Sequence, residues 1–159
     1  MNKNKDKTNV MRILEQKKIN YKYYDYTNTD AISGIEVANV LNQDPNTVFK
    51  TLVTVGKSGN NYVFVIPVNK ELDLKLAAVV TKEKSISMLK SKDLLPLTGY
   101  IHGGCSPIGM KKHFKTVIDK SALSNNTIII SGGKIGYQVE LTLEDLKKVI
   151  DYTLEFITC

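Results

Sequence analysis

Thr98-Gly99-Tyr100-Ile101-His102-Gly103-Gly104-Cys105-Ser106-Pro107-Ile108-Gly109 crowds four glycines and a proline among hydroxyls, a thiol and an imidazole. Such a run cannot be a regular helix or a central strand. Glycine lets the backbone take positive φ and lets another group come close, while Pro107 pushes Ser106 toward an extended conformation. A loop of this kind presents main-chain N–H groups, which suit a phosphate or a developing oxyanion. A plain turn between two strands is the alternative. Its neighbours in the sequence also bear chemistry: Cys105 and His102 invite a Cys–His nucleophile reading. Against that pairing, loop neighbours need not face one another, and no Asp or Asn stands out as the third member. His102 and His113 have no third metal ligand at a recognisable spacing.

Two further features bear on chemistry. Val48-Phe49-Lys50-Thr51-Leu52 puts a lysine inside an apolar strand, where an ammonium is costly unless it reaches a site or solvent. Ser131-Gly132-Gly133-Lys134-Ile135-Gly136 is a second tight glycine turn, directly after the buried strand Thr127 to Ile130. Ser131 could serve a ligand or only its own turn.

The elements that must hold these groups fit a single domain. The chain has 159 residues, 42% hydrophobic and 24% charged, enough for a real core. No apolar run is long enough to cross a bilayer, and the polar start (residues 1–7) has no signal-peptide character, so a cytoplasmic protein with a domain over 8–150 and a tail over 151–159 is expected. Two cysteines are too few for a disulfide framework. Lys and Arg total 22 against 16 acidic residues, a net charge of +6, which fits an RNA partner and equally fits a lysine-solubilised surface.

Thr8 caps a helix through Leu14 toward Lys17. Tyr21 to Tyr26 reads as a strand bearing aromatics on both faces. Ser33-Gly34-Ile35-Glu36 has capping-box spacing and opens a second helix to Leu41. Val48–Val55 and Tyr62–Val68 form a hairpin, expected at the centre of the sheet. Leu72 to Val80 reads as a short buried helix, and Ser91 starts another that should stop before Pro96. Thr116–Asp119, Thr127–Ile130 and Tyr137–Leu141 are strands. Thr142 caps a last helix through Ile150, which the segment beyond Asp151 either extends or lets fray. Helices alternate with both hairpins and crossovers, so a mixed sheet with helices outside is expected.

Taken together, Val48 to Leu52, Leu97 to Gly109, Ser131-Gly132-Gly133 and Val139-Glu140-Leu141 resemble, in order and spacing, the YbaK/EbsC family of aminoacyl-tRNA deacylases, relatives of the editing domain of bacterial prolyl-tRNA synthetases. The resemblance runs from about Thr8 to Val149. It implies an α/β fold with a mixed, mostly antiparallel, barrel-like sheet. It also implies hydrolysis of the ester that joins a wrong amino acid to tRNA, without cofactor, metal or membrane. Lys50 matches the family's essential lysine, with Thr51 beside it. Gly103, Gly104, Ser106 and Pro107 match its G-G-x-S-P loop; Ser131, Gly132 and Gly133 match its S-G-G turn.

Tyr24, or Tyr23 one residue earlier, falls where the family lines its pocket with an aromatic. Ser33 replaces a common bulky aromatic and Gln138 an acidic residue; both border the expected amino-acid pocket. The implied substrate is the acceptor end of an aminoacyl-tRNA, foremost Cys-tRNA(Pro) and also Cys-tRNA(Cys), with prolyl-tRNA synthetase a candidate partner. Cysteinyl-specific members use the substrate's own thiol as nucleophile, which makes the release lyase-like. The alternatives are the sister activity on Ala-tRNA(Pro) or another small aminoacyl-tRNA, and a non-catalytic binding module for a nucleotide or an RNA 3′ end.

Overall fold

A computed structural model describes residues 7–159, and the start of the expected N-terminal tail, residues 1–6, lies outside the described residues. Eight strands form two sheets. The larger has the order β4 (Ile86–Met88), β2 (Phe49–Gly56), β3 (Asn61–Pro67), β5 (Lys115–Asp119), β8 (Thr153–Glu155), and the smaller β1 (Lys22–Asp25), β7 (Tyr137–Leu141), β6 (Ile128–Ser131). Four of the neighbouring pairs are antiparallel; β3–β5 and β5–β8 are parallel. The sheets meet at one parallel bridge, Val48 to Ile129, where the Ile129 N–H donates to Thr47 O at 2.9 Å. No closed barrel results: the barrel-like curl expected of one sheet is instead a pair of sheets joined at a corner.

Apolar alternation decides the layers. Phe49, Val53, Val63 and Val65 of the central hairpin face a large core with Leu14, Ile118, Ile130, Val139 and Leu141. Leu52, Phe64 and Ile66 face the opposite way, onto Ala77, Ala78 and Ile157. Five helices cover these faces. Thr8 caps α1 (Asn9–Gln16), accepting from the Met11 N–H at 3.2 Å. Ser33 and Glu36 form the reciprocal box that opens α2 (Gly34–Val40).

α3 (Leu74–Thr81) is less buried than its apolar run implies. Only Ala77, Ala78 and Thr81 are covered, and Val79 is 71% exposed. α4 (Ser91–Thr98) runs through Pro96 instead of stopping before it, since a helix this short forfeits only one internal N–H there. α5 (Leu143–Lys147) ends sooner than expected.

The chain beyond α5 neither extends the helix nor frays. β8 adds a parallel edge strand to β5, a pairing that leaves no local sequence signal. Ile157 is fully buried, and its N–H donates to Asp119 Oδ1 at 3.0 Å while its carbonyl accepts from Asp73 N–H at 2.8 Å. Asp119 is itself 1% exposed and also accepts from Ser121 N–H at 3.2 Å. Asp119→Ala leaves the Ile157 N–H buried without a partner and should cost about 2–3 kcal/mol. Urea denaturation would show the loss, with amide exchange accelerated first over residues 153–157.

Candidate functional site at an unpaired strand edge

The site begins with a gap in the larger sheet. In the β2–β3 ladder the hydrogen-bonded pairs fall on even-numbered residues of β2: Val68 N–H donates to Val48 O and Gly56 N–H to Asn60 O, both at 2.8 Å. Odd-numbered residues therefore turn their main-chain groups to the other edge. There β4 and its flanks take them up, through Leu89 N–H to Val53 O at 3.1 Å and Lys57 N–H to Ser85 O at 3.0 Å. The same register would set Ser91 opposite Thr51, but Ser91 is already the first residue of α4. β2 is thus bare between its bridge to β6 and its junction with β4.

A cavity of about 610 Å³ opens along this edge. It wraps both faces of β2, so Lys50 and Thr51, which alternate to opposite sides, line the same space. The glycine loop contributes His102, Gly103 and Cys105; β6 and β7 contribute Ile130, Ser131 and Gln138; the α2 entry contributes Ser33 and Glu36. Lys50 is partly exposed and lies 3.9 Å from the freely solvated Glu71 carboxylate, so no strong ion pair ties it down.

The glycine loop is held from beneath. The Tyr100 hydroxyl donates to Ile108 O at 2.5 Å, and Ser106 Oγ accepts from Ile108 N–H at 3.2 Å. Gly103 sits at φ +89°, a conformation that L side chains rarely adopt. The Gly104 N–H is consumed within the loop, donating to Ile101 O at 3.0 Å. The N–H groups of Gly103 and Cys105 have no partner among the described residues, and both residues line the cavity. Burial pushes the Cys105 thiol up to about 12, so it stays protonated and is no nucleophile near neutral pH. Cys105→Ala should leave kcat/KM within about twofold of the parent; a dead but folded variant would return the thiol to the mechanism.

Six of the twelve residues anticipated at the site line the cavity: Lys50, Thr51, Gly103, Ser33, Ser131 and Gln138. The other six do not. Gly104 packs against the second glycine turn, where an added Cβ would lie 3.0 Å from Ile135 N and 3.2 Å from Lys134 C. Ser106 and Pro107 are buried supports of the loop. Gly132 donates its N–H to Tyr137 O at 2.8 Å, and Gly133 abuts Val10 of α1. Tyr24 packs with Ala38, Val48, Val68 and Ile129, and its hydroxyl donates to Glu140; that bond and burial raise it to about 12. The tyrosine that does line the cavity is Tyr26.

Ser131 Oγ accepts from Gly133 N–H at 3.1 Å, closing its own turn, and the residue borders the cavity. Gln138 is 5% exposed, and its amide is paired reciprocally with that of Gln43, at 2.8 and 3.3 Å. Gln43 and Tyr26 lie outside every motif, and only the fold reveals them. Glu36 had a visible signal, its capping-box position. Its carboxyl is held below the usual range, first by the Ser33 N–H that it accepts. Among the described residues no three His, Cys, Asp or Glu side chains gather as a metal site, and no helix is long and apolar enough to cross a membrane.

Comparison with known proteins decides the family. Residues 29–149 match the model of the aminoacyl-tRNA editing domain. The chain belongs to the aminoacyl-tRNA editing domain family. An Enterococcus faecalis member, provisionally named Cys-tRNA(Pro)/Cys-tRNA(Cys) deacylase EbsC, is 48% identical over 89% of this chain and 87% of its own length. The editing-domain fold recurs in the crystal structure of the hypothetical protein APE2540, with TM-score 0.85 at 19% identity over 94% of this chain and 99% of that one. It recurs again in a provisionally named trans-editing enzyme for prolyl tRNA synthetase, with TM-score 0.79 at 19% identity over 96% and 98% of the two chains.

Proposed function

We propose that this editing-domain protein deacylates mischarged tRNA in trans, with cysteine on tRNA(Pro) as its first substrate and Cys-tRNA(Cys) as a second. The observation that carries the reading is chemical. The cavity joins the Lys50 ammonium, only weakly paired with Glu71, to the unpaired amides of Gly103 and Cys105, while its one cysteine thiol stays protonated. An aminoacyl ester is already activated, so positioning and oxyanion stabilisation can suffice. The Gly103 and Cys105 amides hold the ester oxygen as charge develops, and Lys50 stabilises the same charge or anchors the terminal ribose phosphate. The name of the Enterococcus faecalis relative supports the choice of cysteine.

The nucleophile is then the substrate's own sulfur. Its thiolate attacks the ester carbonyl, a C–S bond forms, and the C–O bond to ribose breaks. The ribose oxygen gains a proton in place of the one lost by the thiol, and the amino acid leaves as a small thiolactone that water opens. The Cys105 thiol, held far above neutrality, does not titrate in the neutral range, whereas the thiol of the esterified cysteine does. Single-turnover release from Cys-tRNA(Pro) should rise with pH through a midpoint near ~8.5, the ordinary cysteine value, level off above it, and do so identically in Cys105→Ala. S-methylation of the esterified cysteine should stop release; an unchanged rate would contradict thiol assistance.

The acceptor end is the part of the tRNA that the cavity takes. Prolyl-tRNA synthetase is the proposed partner that supplies tRNA selectivity, and the cytoplasm the proposed location. The trans-editing fold neighbour supports the partner.

A further inference from the structure

Among the described residues, neither ladder of β2 takes up the main chain of Thr51, and its side-chain oxygen has no partner. Its N–H and C=O belong to the bare edge of β2, since the ladder to β3 uses Lys50 and Leu52 and the ladder to β4 ends at Val53. Its Oγ1 is buried and makes no hydrogen bond. Buried polar groups are ordinarily satisfied, and groups left unmet on one cavity-lining residue point to a ligand that supplies what the protein withholds.

The shape of that ligand follows from the main chain. The N–H and C=O of one strand residue point to the same side, an acceptor-seeking and a donor-seeking group next to each other. The flank beside them is apolar: Met88, Leu89 and Leu94 line the cavity next to Thr51. A flat heterocycle with an adjacent donor and acceptor on one edge meets both demands. The Watson–Crick edge of adenine offers N6–H as donor and N1 as acceptor.

We infer that the β2 edge at Thr51 reads the 3′-terminal adenine of the tRNA, its C=O accepting from N6–H and its N–H donating to N1. This rests on the deacylase reading, which places the aminoacyl group at the Gly103 loop and leaves the base for the opposite part of the cavity. The main chain would then hold the base that ends every acceptor arm, independently of the amino acid attached.

The test uses the full chain and cysteinyl minihelices, charged without a synthetase, whose terminal nucleoside is adenosine, purine riboside, 1-deazaadenosine or 7-deazaadenosine. Loss of N6–H or of N1 should each lower kcat/KM about tenfold, through KM, while loss of N7 should have no effect. Thr51→Pro removes the N–H that N1 is proposed to meet, together with the Oγ1 hydroxyl, and adds a ring carbon at the edge. The diagnostic is therefore its pairing with the analogue: it should lower kcat/KM with adenosine and show no further loss with 1-deazaadenosine. Equal rates on all four ends would overturn the inference. Affinity for the uncharged minihelices should follow the same order without turnover, so absent cysteine release counts against the deacylase reading alone, and uniform affinities count against the adenine site alone.

Discussion

Lys50→Ala should lower kcat/KM for deacylation by about a hundredfold or more while leaving the protein folded. Removing one preorganised charge or donor from a developing oxyanion costs roughly 10²- to 10³-fold. The structural cost is small because little is lost in the fold. Lys50 reaches out of an apolar strand into the cavity, and its single acidic neighbour, Glu71, is 3.9 Å away and largely in water. An exposed pair of that kind contributes about 0–1 kcal/mol. Unchanged thermal melting with collapsed turnover is therefore the expected pattern. Lys50→Arg should recover little, because a planar fork does not replace a compact ammonium.

Gly104→Val should also abolish turnover, by another route. The amide of Gly104 is spent on Ile101 O, and the residue does not line the cavity. What it provides is contact: the two glycine loops touch backbone to backbone, and a Cβ would stand 3.0–3.2 Å from the main chain of Lys134 and Ile135. Neither side is a flexible side-chain end, so the loops must part. Overpacking of this kind costs about 1–3 kcal/mol. Displacing Gly103 and Cys105 by even ~1 Å is enough to lose about a hundredfold in rate. Gly104→Ala should fall between parent and Val in both melting temperature and rate. A Gly104→Val protein with parental rate would detach the loop from the mechanism.

The parts of this site that could be read in advance are those written locally. The capping box at Ser33, the central hairpin around Lys50 and the two glycine turns each carry their signal within a few residues. The gap that makes the cavity is not local. It exists because β4 stops at Met88 and the chain enters α4 one ladder step before Thr51 would be covered, which depends on three elements at once. Gln43 reaches Gln138 across 95 positions, and β8 docks on β5 without any turn to announce it. Motif residues such as Ser106 and Gly133 are equally visible in the chain whether they touch a substrate or hold up those that do. Only packing separates the two roles. The hydroxyl of Ser106 accepts from Ile108 N–H and Gly133 lies against Val10, contacts made within the protein.

The most direct test is release of labelled amino acid from Cys-tRNA(Pro), Ala-tRNA(Pro) and Pro-tRNA(Pro) by the purified protein under single-turnover conditions. Rapid loss of cysteine alone, abolished by Lys50→Ala, is the predicted result. Preference for alanine would contradict the thiol-assisted mechanism and identify the sister activity. Release from none of the three would contradict catalysis and leave a binding module for the RNA 3′ end.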